Sequence, residues 1–110
     1  MSKAERDRGA RGERLLRDEL NAHGLDVRRG SCFRHESDLI GLIGVHVECK
    51  FVEKLNIRQA MAQAITEAEK RGDGMPTVFH KKARADWLVT MRLDDWVTLY
   101  KLARLGTKGE

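Results

Sequence analysis

Several features are missing from this chain of 110 residues. No apolar run approaches the roughly 20 residues of a membrane-spanning helix. The opening Met1-Ser2-Lys3-Ala4-Glu5-Arg6-Asp7-Arg8 holds no apolar segment of the secretory-signal kind. The expected location is therefore the cytoplasm. The 2 cysteines, Cys32 and Cys49, do not form a C-x-x-C pair, and the 4 histidines, His23, His35, His46 and His80, lack metal-finger spacing. A zinc-stapled module is thereby excluded. In a reducing compartment both thiols are free, and Cys49 reads as a small core residue. There are no repeats and no linker. Residues 1–110 read as one domain around one core, with 106–110 as a flexible tail.

What is present is charge. Charged residues make up 35% and hydrophobic ones 41%, as in a soluble globular protein, and the formal net charge is +4. The pI near 9.3 suggests an anionic partner, nucleic acid first.

Periodicity predicts the elements. Lys3 to His23 reads as a helix with Leu15, Leu16 and Leu20 on its apolar stripe and Gly24 as its stop. Gly9 and Gly12 weaken its first half, which is either frayed or close to another backbone. Leu25–Arg29 and Asp38–Leu42 are strand candidates. A turn at Gly44 leads into a third, Val45–Val52, and the last two should form a hairpin. Asn56 caps a helix carrying Ile57, Ala60, Met61, Ala64, Ile65 and Ala68, which ends near Gly72. Residues 73–76 read as a turn, Thr77–His80 and Trp87–Met91 as strands, and Leu93–Leu105 as a last helix. Trp87 and Trp96 fall within apolar patterns and are expected in the core. Phe33 is the aromatic expected to be exposed. The order αβββαββα predicts an α/β fold with a mixed sheet flanked by helices.

The chemistry concentrates between Ser37 and Lys50. Side chains alternate along a strand, so His46, Glu48 and Lys50 share one face while Val45, Val47, Cys49 and Phe51 share the other. A face carrying those three polar groups is expected to stay out of the core. With Asp38 ahead of it, the strand offers two hard oxygen ligands and a cation. The carbonyl of Cys49 is a candidate third ligand, and Glu13 a fourth, direct or through water. Phosphodiester hydrolysis needs an attacking water, relief of phosphate charge and help for the leaving oxygen. Mg²⁺, or Mn²⁺, held by Asp38 and Glu48 supplies much of this. Lys50 can orient the water or stabilise developing charge. A solitary Glu-x-Lys is more often an exposed ion pair. Here the acid ahead of it, the clean apolar alternation behind it and the helical Glu13 shift the balance.

These residues, in order, resemble the nuclease superfamily named for its Asp…(Asp/Glu)-x-Lys signature, which has a restriction-endonuclease-like fold. Within it the chain looks like the archaeal-type Holliday junction resolvases and their small bacteriophage relatives. The resemblance rests on Arg11-Gly12-Glu13, Arg28-Arg29-Gly30-Ser31, Ser37-Asp38, His46-Val47-Glu48-Cys49-Lys50, Asn56-Ile57 through Ala64, Pro76 to Lys81 and Trp87 to Met91. It implies that Glu13, Asp38, Glu48 and Lys50 are the active-site residues. Gln63 matches a position that faces the site in relatives or is simply solvated. Ser31 matches a loop serine near the scissile phosphate in some resolvases, or is a turn residue. Ser37 stands where many members have proline. Arg8, Arg11, Arg28, Arg29, Lys81, Lys82 and Arg84 are the candidate phosphate contacts, with Lys54 in a weaker set. The resemblance further implies a homodimer acting on four-way DNA junctions, in a bacterial host cytoplasm if phage-encoded. Its apolar contact surface would draw on Trp96, Leu99 and Tyr100. Two rival readings remain: a nicking, repair or restriction-type endonuclease of the same superfamily, and a DNA-binding module without catalysis.

Overall fold

The computed structural model describes residues 2–107. The first helix, α1, spans Lys3–Ala22. Ser2 opens it with a reciprocal cap: its hydroxyl accepts the Glu5 N–H at 3.1 Å, and the Glu5 carboxylate reaches back to the Ser2 N–H at 3.5 Å. The chain then turns at His23-Gly24 and is held by Asn21. The Asn21 side chain accepts the Val27 N–H at 2.8 Å and donates to the Val27 carbonyl at 3.1 Å. That clamp aims the chain into β1 (Arg28–Arg29), which pairs antiparallel with β2 (Leu39–Ile40).

The main sheet has three strands in the order β3 (Val45–Phe51), β4 (Met75–Lys81), β5 (Leu88–Met91). Parallel β3 and β4 pair from Val45↔Met75 to Phe51↔Lys81; β4 and β5 are antiparallel. The crossover from β3 to β4 is α2, Ile57–Arg71, capped by the Asn56 side chain on the Gln59 N–H and closed by Gly72 in a left-handed turn. One core layer joins α1 to the sheet through Leu16, Val27, Leu39, Val47 and Phe79. The other layer is Ala60, Ala64 and Val78, where small side chains let α2 lie close to the strands. The sheet is therefore mixed and flanked by helices, as the pattern predicts.

Gly12 resolves the ambiguity in α1. A Cβ there would lie 2.6 Å from the Cβ of Phe51, so the helix crosses β3 at backbone range. The helix is continuous from Lys3.

Five expectations need correction. The hairpin between the second and third strands is absent. Gly41 (φ 127°) and Gly44 (φ 83°) bend the chain after only two β2 residues. The bridge that remains is the Asp38 N–H on the Val47 carbonyl at 3.3 Å. Second, Met75 and Pro76 belong to β4 rather than to a turn. Proline is accommodated because its nitrogen faces the β5 side, where the paired register begins only at Thr77↔Met91. Third, the face bearing His46 and Glu48 is not open. Packed under α2, His46 is 1% exposed and Glu48 7%. Fourth, Trp96 is not core. It is 52% exposed and stacks on Tyr100 with centroids 5.4 Å apart, whereas Trp87 does pack on the core. Fifth, helix α3 spans Leu93–Thr107, so Gly106 and Thr107 are helical; the rest of the expected tail, 108–110, lies outside the described residues. Phe33 is 93% exposed, as expected.

Candidate active site

Strand β3 supplies the row His46, Glu48, Lys50; the short ribbon supplies Asp38. Residues 45, 47, 49 and 51 of β3 turn their N–H and C=O away from β4, and the Val47 C=O and the Cys49 N–H meet Asp38. The Cys49 N–H donates to Asp38 Oδ2 at 2.7 Å, which locks that carboxylate against β3. The Cys49 carbonyl leaves on the same edge. Glu48 lies across the strand, its carboxylate between two basic groups. Its Oε2 is 3.6 Å from Lys50 Nζ, and its Oε1 is 3.9 Å from His46 Nε2. Both separations are ion-pair contacts too long for hydrogen bonds. Lys50 Nζ donates instead to Gln63 Oε1 at 3.0 Å, so Gln63 faces the site from α2.

The electrostatics reveal a strained cluster. Burial, then the nearby Glu48 charge, push the Asp38 pKa up to about 7, and Glu13 adds to the rise. The Cys49 N–H and Lys50 oppose this without reversing it. Burial and the surrounding carboxylates drive the Cys49 thiol well above its ordinary value, so it is no nucleophile. At His46, burial works to lower the pKa, but Glu48 and Asp73 outweigh it and hold it above the ordinary value. His46 Nδ1 is 2.8 Å from Asp73 Oδ1.

The donor set fits a hard divalent cation. Two repelling carboxylates, one nearly buried without a partner at hydrogen-bond distance among the described residues, would be neutralised by one. The outward Cys49 carbonyl adds a third oxygen. Among the described residues no three His, Cys, Asp or Glu side chains gather closely enough to hold an ion by themselves. Asp38, Glu48 and the carbonyl would need water to complete the shell. Glu13 is turned to Arg29, whose Nε lies 3.2 Å from its Oε1, though its charge still bears on Asp38.

The candidate DNA contacts divide. Arg8 and Arg11 are exposed on α1, with the Arg11 guanidinium 5.6 Å over the Phe51 ring. Together with Lys54 and Ala83 they line a groove of about 560 Å³ beside the end of β3. Lys82 and Arg84 are exposed in the loop that follows β4, and Arg84 is left-handed at φ 63°. Three of the cations are already engaged. Arg28 forks onto Glu36 at 2.9 and 3.2 Å, Arg29 donates through Nε alone to Glu13, and Lys81 Nζ donates to the Ala85 carbonyl of its own loop. The Arg28 hydrogen bond, with that of the Ser31 N–H, holds the Glu36 carboxyl below its usual value. Ser31 thus serves the loop through its backbone.

Asp73 is the participant that pattern reading missed. It looked like a turn residue between α2 and β4. The parallel register Val45↔Met75 sets that turn beside the start of β3, which brings it to His46.

A mixed sheet flanked by helices, with an acid beside a Glu-x-Lys strand, is similar to that of the resolvase-type nucleases with the Asp…(Asp/Glu)-x-Lys signature. Among solved structures the chain is similar to the Holliday junction resolvase Hjc of Archaeoglobus fulgidus, an archaeal hyperthermophile. That protein is 26% identical to this chain, with a TM-score of 0.55, over 76% of this chain and 71% of that one. No protein-family model matches this chain, and no curated protein matches it. Among the described residues no helix is long and apolar enough to cross a membrane.

Proposed function

We propose that this chain is a Mg²⁺-dependent endonuclease that resolves four-way DNA junctions by paired cuts, with Mn²⁺ able to substitute. The observation that carries the reading is the meeting of Asp38 and Glu48, two mutually repelling carboxylates, beside Lys50 on one strand. The likeness to a Holliday junction resolvase supports the substrate. Asp38, Glu48 and the Cys49 carbonyl would hold the ion, and Glu13 would reach it through water. The ion would polarise the phosphate and lower the pKa of a bound water. Lys50, steadied by Gln63, orients the attacking water and stabilises charge on the phosphate oxygens. Arg8, Arg11, Lys82 and Arg84 contact phosphates flanking the cut, with Lys54 beside them. Arg28, Arg29, Lys81 and Ser31 act by shaping the loops next to the site.

One chain carries one site, and resolution needs two opposed cuts. A two-fold dimer supplies both at a fixed separation. Helix α3 offers a surface: among its described residues none is buried, and Leu93, Trp96, Tyr100, Leu102 and Leu105 are all more than half exposed.

The test is cleavage of a synthetic mobile-core junction, a flap and a plain duplex with Mg²⁺ and then with chelator. Symmetrical paired nicks confined to the junction are expected. Equal cutting of the duplex would sink the junction reading. Silence with both Mg²⁺ and Mn²⁺ would sink the nuclease.

A further inference from the structure

The row on β3 extends beyond the groups that the proposed chemistry uses. Asp73 Oδ1 sits 2.8 Å from His46 Nδ1, and His46 Nε2 faces Glu48 Oε1 at 3.9 Å. Glu48 Oε2 faces Lys50 Nζ at 3.6 Å, which is tied at 3.0 Å to Gln63. Each oxygen of Glu48 is therefore addressed by a different side chain, from opposite directions along the strand. His46 is 1% exposed, and its Nε2 has no hydrogen-bond partner among the described residues. Burying an imidazole nitrogen without a partner costs on the order of 1–3 kcal/mol. An apolar residue at this place beneath α2 would avoid that cost. Asp73 orients the ring so that the unsatisfied nitrogen points at the carboxylate.

We infer that His46, oriented by Asp73, is a positioning residue that sets the rotamer of Glu48 for metal binding. The inference rests on the proposed role of Glu48 as a metal ligand. His46 does not touch the ion or the substrate; it faces Oε1 at 3.9 Å while Lys50 faces Oε2 at 3.6 Å, and these two ion-pair contacts bias the carboxylate towards one orientation in which to meet a cation beside Asp38. Groups that orient a metal ligand are commonly worth about 10–100-fold in metal affinity.

The experiment measures Mn²⁺ binding directly, by water-proton relaxation on the full chain without DNA, together with thermal melting. H46A is expected to weaken Mn²⁺ binding about tenfold. H46Q, which places an amide N–H near Glu48, is expected to recover most of that loss. D73N, at a side chain 30% exposed, is expected to weaken binding in the same direction but less, even if H46A does not fold. Loss of melting temperature with unchanged Mn²⁺ affinity in H46A and D73N would overturn the inference and leave His46 a packing residue. E48Q separates the two levels. If E48Q abolishes binding while H46A and D73N bind normally, only the positioning role falls. If E48Q binds like the wild type, or the wild type does not bind Mn²⁺, the metal-ligand reading falls and the positioning role with it.

Discussion

Replacing Asp38 by asparagine should raise stability while removing activity. Asn retains a side-chain oxygen for the Cys49 N–H, now accepted by Asp38 Oδ2 at 2.7 Å, so the structural bond survives. What disappears is a charge that burial and Glu48 make unfavourable. The ordinary value of 3.8 for this carboxyl rises to about 7 in the fold. A carboxyl with a raised folded pKa holds its proton more tightly when folded. Its contribution is therefore fully favourable below about pH 4 and is lost as the pH climbs through 7. Between 3.8 and about 7 the loss has a ceiling on the order of 4 kcal/mol. By pH 5 only about a third of it has accrued. Urea unfolding in chelator, at pH 5 and pH 8, measures the difference between D38N and wild type at each pH. D38N should be more stable by up to about 4 kcal/mol at pH 8 and by roughly 1–2 kcal/mol at pH 5. Mg²⁺ should stabilise the wild type at pH 8 and leave D38N unmoved. D38N should still bind junction DNA without cutting it. A D38N protein less stable than wild type at both pH values would refute the reasoning, because Asp38 would then be a satisfied structural group.

Other expectations are simpler to check. G12A should cost about 1–3 kcal/mol in chemical denaturation, since its methyl would meet Phe51 at 2.6 Å and β3 would have to move; an unchanged midpoint would show that the helix crossing yields freely. K50A should cut single-turnover cleavage by roughly 10²–10³-fold with little change in junction affinity, the signature of a group acting on developing charge; a pure loss of affinity would make Lys50 a DNA contact. W96E combined with Y100E, on the exposed stack of α3, should convert a dimer to monomer in sedimentation velocity at micromolar concentration; a dimer that survives both changes would place the contact elsewhere.

The elements with strong local signals were legible in the sequence. Asn56 and Gly72 bracket α2, and alternation from Val45 to Phe51 marks β3. The pairing of strands was less legible. Asp38–Leu42 and Val45–Val52 look like hairpin arms by spacing, but hydrogen-bond direction depends on how Gly41 and Gly44 turn, and neither makes a strong hairpin signature. The identity of the polar face was readable from period two, while its cover was not, because α2 presents alanines that fit over Val78 and leave the flanking polar row enclosed. Trp96 misled for the reverse reason: an apolar helix stripe announces burial against something, without saying whether that is the chain's own core. The cluster of Asp38, Glu48 and Lys50 followed from spacing. Asp73 could not, since it arrives through a long-range parallel register.

The ribbon of β1 and β2 has a consequence for motion. It is two residues wide on each side and separate from the three-stranded sheet. Asp38 is stitched to β3 by its own amide on Val47 and by its carboxylate on the Cys49 amide. Partial opening could part those stitches and leave the main sheet intact. The Asp38 and Cys49 amides would then trade protons with solvent faster than those of Val78 or Phe79, reporting residue by residue how often Asp38 parts from β3 while the molecule is still folded.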